Sequence, residues 1–386
     1  MRSKSQRSSD PDLGTSLVNQ LGLQLLEKLQ EDQAIRNLIL SPCLLAFCLA
    51  IACNGAAGQT RDALAKVLGV VGLSEEDMNR RLRALRTAIE QLGPQLELVL
   101  ASAVWGVKPL IFPPDFQQRI REFYAADVQI LDATAPVAAE TINRWVSSKT
   151  NGKITTLVNP DDLSSEIRCI LTNAIYFKGL WSAPFDPQAT RDRPFTLPDG
   201  RTREVAMMCR SGRYPYLETT AFQAIDLAYT SGSLSMYVVL PREGVSLDMS
   251  GWGEWLPQFR PAHVELALPR FSATCALDMA GSLGDLGLGV LFQAGADFTR
   301  MGLGGYFISS IKHKAHIEVS EVGTEASASS AVLMGRSLPR VTTMIVDRPF
   351  FLAIHDHRRN LLLFLGRIIE PEPAGPTGAE VEGGSR

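Results

Sequence analysis

The sequence predicts an α+β fold built as one large unit. Three observations lead there. Helical apolar spacing dominates the first third of the chain, strand-like runs dominate from residue 96 onward, and the two are not interleaved as a βαβ repeat. No Pro/Gly-rich linker and no internal repeat interrupts the interior. A length of 386 residues suggests two or three domains on length alone, but 45% hydrophobic residues can fill a single sizeable core. The expected organisation is a loose N-terminus over 1–12, one domain over 13–371, and a disordered Pro/Gly/Glu-rich tail over 372–386.

The elements follow in order. Leu17, Leu21, Leu25 and Leu29 recur every fourth residue and mark one face of a helix. Ser41-Pro42 opens a second helix whose apolar run, Cys43 to Cys53, is too short to span a bilayer and reads as buried. Ser74-Glu-Glu-Asp77 is a variant capping box. The helix after it carries Leu82, Leu85, Ile89 and Leu92 on one side and Arg80, Arg83 and Arg86 on the other. Leu96, Leu98 and Leu100 alternate as in a strand, and Glu166 to Phe177 reads as a strand buried on both faces. Leu234–Pro241 and Val264–Pro269 look like strands ending at prolines. Ile311–Ser320, Pro349–Ile354 and Leu361–Ile369 complete the set.

Composition excludes several functions. A net charge of −3 offers no global basic field for nucleic acid. The polar start, Met1 to Asp10, lacks the apolar stretch of a secretory leader, so the expectation is a cytosolic protein or a chain lacking its leader. No Asn-x-Ser/Thr sequon occurs. Cys43, Cys48, Cys53, Cys169, Cys209 and Cys275 form no C-x-x-C pair, and the first three read as buried free thiols. His263, His313, His316, His355 and His357 fit no metalloprotease pattern, and His355-Asp356-His357 reads as a strand running into a turn. There is no G-x-S-x-G nucleophile elbow and no complete phosphate loop. The expectation is a protein that is not an enzyme and needs no cofactor or metal.

Residues 318–341 stand apart. From Gly323 to Ala331 nearly every residue is small, which is usual for a flexible linker, yet Ala and β-branched residues outnumber Gly. Thr324, Ala326, Ala328, Ser330 and Val332 occupy alternate positions and are all small and uncharged, so one face of an extended strand could enter a tight slot. Glu325 falls between them. The stretch reads both as an exposed loop and as a strand. Arg336-Ser337 is a bond that trypsin-like proteases prefer.

At this point the chain resembles the serpin family over most of residues 15–371. The blocks that carry the likeness are Ile39-Leu-Ser-Pro42, Asn54-Gly-Ala-Ala-Gly-Gln-Thr-Arg61, Ile142-Asn-Arg-Trp145 with Thr150-Asn-Gly-Lys-Ile154, and Asn173-Ala-Ile-Tyr-Phe-Lys-Gly-Leu-Trp181. Asp347-Arg-Pro-Phe350 and Phe364-Leu-Gly-Arg367 follow in the family's order. The resemblance implies helices around a large central mixed sheet with smaller sheets and an exposed reactive-centre loop, about 321–341. It also implies an extracellular monomer acting as a suicide trap. A target serine protease cuts the loop, forms an acyl-enzyme through its own serine, and is carried along as the loop inserts into the sheet, a behaviour known for the family as a whole. Gly323 to Arg336 would reach about 43 Å at ~3.3 Å per residue.

Site roles follow from the same resemblance. Gly323, Thr324, Glu325, Ala326, Ser327, Ala328, Ser329 and Ser330 match the inhibitory hinge, where non-inhibitory carriers or chaperones often have bulky, charged or proline residues. Asn173 and His313 match the polar pair that helps hold the sheet's centre, and Ser41 belongs with the positions that govern opening of the sheet. Trp181, Arg270 and Glu321 match the top, where insertion begins, with an Arg270–Glu321 ion pair expected. Leu44 stands where a second serine is common. Two registers for the reactive bond stay open. Gly335-Arg-Ser-Leu338 resembles loops cut after arginine, placing it at Arg336–Ser337, whereas the commonest spacing from the hinge places it at Ser337–Leu338. The first is preferred, because trypsin-like pockets hold an Asp that pairs with Arg. Arg80, Arg81, Arg83 and Arg86 resemble a helix that binds sulfated polysaccharide in some members, but Glu75, Glu76 and Asp77 dilute the patch and favour a solvated face.

Overall fold

A computed structural model describes residues 15–32, 36–93, 95–131, 135–163, 167–322 and 341–373. The chain begins with α1 (Thr15–Asp32), β1 (Leu38–Leu40), α2 (Pro42–Gly55), α3 (Gly58–Val67) and α4 (Glu75–Glu90). Then come β2 (Leu96–Val107), α5 (Pro114–Tyr124), β3 (Asp127–Leu131), α6 (Ala135–Lys149) and β4 (Cys169–Gly179). The rest is nearly all strand: β5 (Arg191–Thr196), β6 (Thr202–Glu218), β7 (Phe222–Ala228), β8 (Leu234–Pro241), β9 (Arg260–Pro269), β10 (Phe271–Asp278) and β11 (Ser310–Val319). After a long segment outside the described residues follow β12 (Val341–Ile345), β13 (Phe350–Asp356) and β14 (Leu361–Ile368). Among the described residues no helix is long and apolar enough to cross a membrane.

Local sequence explains the helices. Ser41 caps α2 by accepting the Leu44 N–H at 3.2 Å, with Pro42 in the first turn, and every residue of α2 is buried because its apolar surface runs all the way round. Burial pushes the thiol pKa values of Cys43 and Cys169 far up and that of Cys48 to about 12, so these thiols stay protonated. Ser74 caps α4 by accepting the Asp77 N–H at 3.1 Å, and its hydroxyl donates to Asp77 Oδ2 at 2.7 Å. That closes only half of a capping box, because Asp is one methylene shorter than Glu. In α1 the buried face is Val18, Leu21, Leu25, Leu26 and Leu29, while Leu17 is exposed. A strict fourth-residue series drifts about 40° per step on a 3.6-residue helix, which carries its outermost member off the face.

The strands form two sheets. A nine-stranded set runs β1-β14-β13-β8-β7-β6-β9-β12, with β5 also on β6. Strand β6 joins it by changing partners along its length, from β5 and β9 to β7. The five-stranded sheet runs β10-β11-β4-β2-β3. Its strand β4 is buried on both faces through Phe177, as the apolar run predicts. Leu171, Ile175 and Phe177 enter the main core, while Ile170, Ala174 and Tyr176 face a second cluster beneath α6 with Ala139, Ile142 and Trp145. Trp145 meets Trp105 edge to face at 5.4 Å. At the C-terminus Ser272 donates its N–H to the Glu372 carbonyl at 2.9 Å and its hydroxyl to the Pro373 carbonyl at 3.3 Å. The described residues reach Pro373, and the rest of the expected tail lies outside them. The expected loose segment 1–12 lies outside the described residues.

Candidate functional site

The centre of the five-stranded sheet is a parallel pair. Strands β4 and β11 run together from Ile170↔Ser310 to Lys178↔Glu318. Their outer neighbours oppose them: β10 is antiparallel to β11, and β2 is antiparallel to β4. A strand placed between β4 and β11 and running against both would have antiparallel partners on each side. Parallel ladders are slightly less stable per residue than antiparallel ones. Strand β11 ends at Val319, and the described chain stops at Val322 and resumes at β12 in the other sheet. The segment from Gly323 to Arg340, with the predicted hinge Gly323–Ser330 and both candidate bonds at Arg336, Ser337 and Leu338, lies outside the described residues.

Halfway along the pair, His313 and Asn173 are direct register partners. His313 Nε2 accepts the Ser41 N–H at 3.0 Å, and Nδ1 contacts Asn173 Oδ1. Complete burial lowers the imidazole pKa to about 3. The ring is therefore neutral, and with Nε2 accepting, its proton sits on Nδ1 and is donated to Asn173. Asn173 Nδ2 is buried without an acceptor among the described residues, and the Cys48 sulfur beside it is a weak one. An orphaned buried donor costs about 1–3 kcal/mol. Ser41 thus links three things: the cap of α2, the histidine of β11 and, through it, the asparagine of β4.

At the end of the pair the chain is latched just before it leaves the sheet. Trp181 donates its backbone N–H to the Val322 carbonyl at 3.2 Å and its indole N–H to the Ser320 carbonyl at 2.7 Å. Phe185 donates to the Glu321 carbonyl at 3.0 Å. The Trp181 ring stacks on Tyr229 at 4.5 Å. The Glu321 carboxylate is buried, accepts from Thr190 Oγ1 at 2.8 Å and pairs with half-exposed Arg270 at 3.4 Å. The Arg270–Glu321 pair expected from the sequence is formed.

Sequence reasoning missed the cross-strand group beneath that latch. Glu318 pairs with Lys178 at 2.8 Å and accepts from Tyr176 Oη at 3.0 Å. Burial alone would raise the Glu318 carboxyl pKa, but Lys178 and Tyr176 outweigh it and hold the carboxyl below its ordinary value. Sequence reasoning also missed how the segment after α6 is fastened across β11. Lys312 bridges Asp162 at 2.8 Å and Asp278 at 3.2 Å, and Lys314 reaches the Thr156 carbonyl. None of these partners is near its mate in sequence, so no local signal marks them. On α4, Arg80 pairs with Glu76 at 2.6 Å, Arg83 with Glu122 at 3.4 Å and Arg86 with Glu90 at 2.7 Å, while Arg81 is partly buried beside them. Among the described residues no cluster of His, Cys, Asp and Glu could hold a metal.

The profile of the family described as Serpin (serine protease inhibitor) matches residues 16–371. Human Serpin B9 is 33% identical, over 90% of this chain and 97% of its own. Leukocyte elastase inhibitor of Xenopus tropicalis is 30% identical, over 92% of this chain and 99% of its own. Among solved structures, native protease nexin-1 with heparin superposes with a TM-score of 0.83 at 28% identity, over 92% of this chain and 99% of that one.

Proposed function

The chain belongs to the serpin family, whose members named above are inhibitors rather than enzymes, and we propose that it inhibits a trypsin-like serine protease as a suicide substrate. One observation carries this reading. The parallel pair β4/β11 is flanked by antiparallel neighbours, and β11 leads straight into a segment with small uncharged residues at Thr324, Ala326, Ala328, Ser330 and Val332. That segment can turn back and enter between the two strands with its small face toward the core. Entry requires β4 and β11 to part, which breaks their ladder, exposes the His313–Asn173 contact and releases the latch of Trp181, Phe185 and Arg270 on residues 320–322. Ser41, Asn173 and His313 then hold the closed sheet at its centre, and Trp181, Arg270 and Glu321 set where opening starts.

The chemistry is supplied by the target. Its serine oxygen attacks the Arg336 carbonyl carbon, the Arg336–Ser337 bond breaks, and the Ser337 amine leaves with a proton. Arg336 is left as an ester on the protease. Insertion of residues 324–332 drags that ester and its enzyme along the sheet, and distortion of the enzyme's oxyanion hole stalls hydrolysis. Arg336 suits a pocket with a fixed Asp, which is why a trypsin-like target is favoured over an elastase-like one cutting Ser337–Leu338. A sulfated-polysaccharide site on Arg80, Arg81, Arg83 and Arg86 is not part of the proposal, because carboxylates of the same surface engage three of the four.

The test is incubation with trypsin followed by denaturing electrophoresis and mass spectrometry. The expected result is a covalent band at the summed mass less the peptide 337–386, and release of that peptide beginning at Ser337. Clean cleavage without that band, by trypsin-, elastase- and chymotrypsin-like enzymes alike, would favour a non-inhibitory carrier or chaperone.

A further inference from the structure

The two motifs near the C-terminus, Asp347-Arg-Pro-Phe350 and Phe364-Leu-Gly-Arg367, take no part in the site just described. Arg348 and Arg367 nonetheless border one cavity of about 380 Å³, where the β5–β6 turn, the loop after β8 and the ends of β13 and β14 meet. That volume falls in the ~300–1,000 Å³ range of small-molecule sites. Leu197, Leu247, Pro349 and Phe351 give it an apolar wall.

The arginines around the cavity differ in how they are used. Arg242 is engaged by Glu218. Arg348 is held by Asp347 at 2.7 Å and by the Pro241 carbonyl at 3.0 Å. The Arg367 guanidinium has no hydrogen bond or ion pair among the described residues, and burial pushes its pKa down from the usual value. It sits on an interior strand, opposite Leu38 of β1 and Phe351 of β13, so its backbone is fixed on both sides. A guanidinium offers five N–H donors and no acceptor, and half-burial without a partner leaves those donors poorly used. Gln30 also borders the cavity, and its buried Nε2 lacks an acceptor among the described residues. Glu243 is the one carboxylate bordering the cavity that none of these arginines engages, and it is exposed, where water and salt screen it.

We propose that this cavity binds a carboxylate carried on an apolar body, such as a medium-chain fatty acid, with Arg367 pairing with the carboxylate and the Leu247–Phe351 wall covering the chain. A planar fork with two parallel N–H groups matches a carboxylate in a bidentate grip, which adds orientation to charge.

Calorimetric titration of the intact protein with submicellar sodium decanoate tests this, with decanol and acetate as controls. The expected result is one saturable site for decanoate, with decanol and acetate each at least tenfold weaker. Arg367→Gln should weaken decanoate at least tenfold. Val245→Trp, at the exposed rim, should do the same by filling the entrance, with an unchanged circular dichroism spectrum. No saturable binding, decanol equal to decanoate, acetate equal to decanoate, or wild-type affinity in both folded variants would each overturn the proposal. Should Arg367→Gln fail to fold, Val245→Trp alone decides.

Discussion

His313 shows how much a single residue can hold. Its ring accepts from the backbone that caps α2 and donates to the facing strand, and the accepting bond needs the neutral form. With a folded pKa of about 3 against an ordinary value of 6.5, the unfolded chain takes up a proton that the folded chain refuses. The histidine's contribution is fully present above pH 6.5 and is lost as pH falls toward 3. By pH 5 the loss is on the order of 2 kcal/mol. His355, lowered to about 4 by burial, works in the same direction, so the comparison must be between variants. The fall in melting temperature from pH 7 to pH 5 should be shallower in His313→Gln than in the wild type. Equal slopes would place the pH sensitivity elsewhere.

At the scale of elements, the sequence made periodic features legible and left pairings between distant segments hidden. Ser41-Pro42, the all-apolar α2 and the doubly buried β4 could be read because capping chemistry and apolar runs are local. Leu17 misled because a fourth-residue series resembles a face for only a few turns. Asn173 and His313 were expected as a pair, and the structure adds Ser41 to them as one hydrogen-bonded group. Glu318, Lys178 and Tyr176 carried no signal, since an ion pair across 140 residues leaves no local pattern. The most informative element by composition is the one leaving β11. If its small face enters between β4 and β11, a guanidinium on that face must be buried without a partner, at a cost of several kcal/mol. Ala326→Arg should therefore be cleaved by trypsin at the wild-type rate while losing at least nine-tenths of the covalent complex. Glu325→Arg, one position away and on the opposite face, should retain most of it. Equal trapping by Ala326→Arg and the wild type would mean that this face does not enter the sheet.

The whole molecule carries a structural tension that the separate elements do not reveal. Its five-stranded sheet places a parallel pair between antiparallel neighbours, leaves the Asn173 amide without an acceptor among the described residues, and latches the chain at its end with three hydrogen bonds. A sixth strand between β4 and β11 would replace one parallel ladder with two antiparallel ones and offer Asn173 new partners. Ordering about nine residues costs ~1–2 kcal/mol each, comparable with the ~0.5–1.5 kcal/mol each gains in hydrogen bonds, so insertion is favourable only with the burial of the small face and the new partners of Asn173 added. In a protein of this size each kcal/mol of added stability raises the melting temperature by about 1–2 °C, so a stabilising insertion of several kcal/mol appears as a rise of several degrees. On the proposed mechanism, the connection of residues 323–340 to β11 at one end and to β12 at the other opposes insertion in the intact chain. Cutting the segment near Arg336 removes the second tether. Scanning calorimetry before and after limited proteolysis should show that rise, and cleaved Ala326→Arg should show little of it. Cleavage that leaves the wild-type melting temperature unchanged would mean that the closed sheet is already the more stable arrangement, and the trap would then have no driving force.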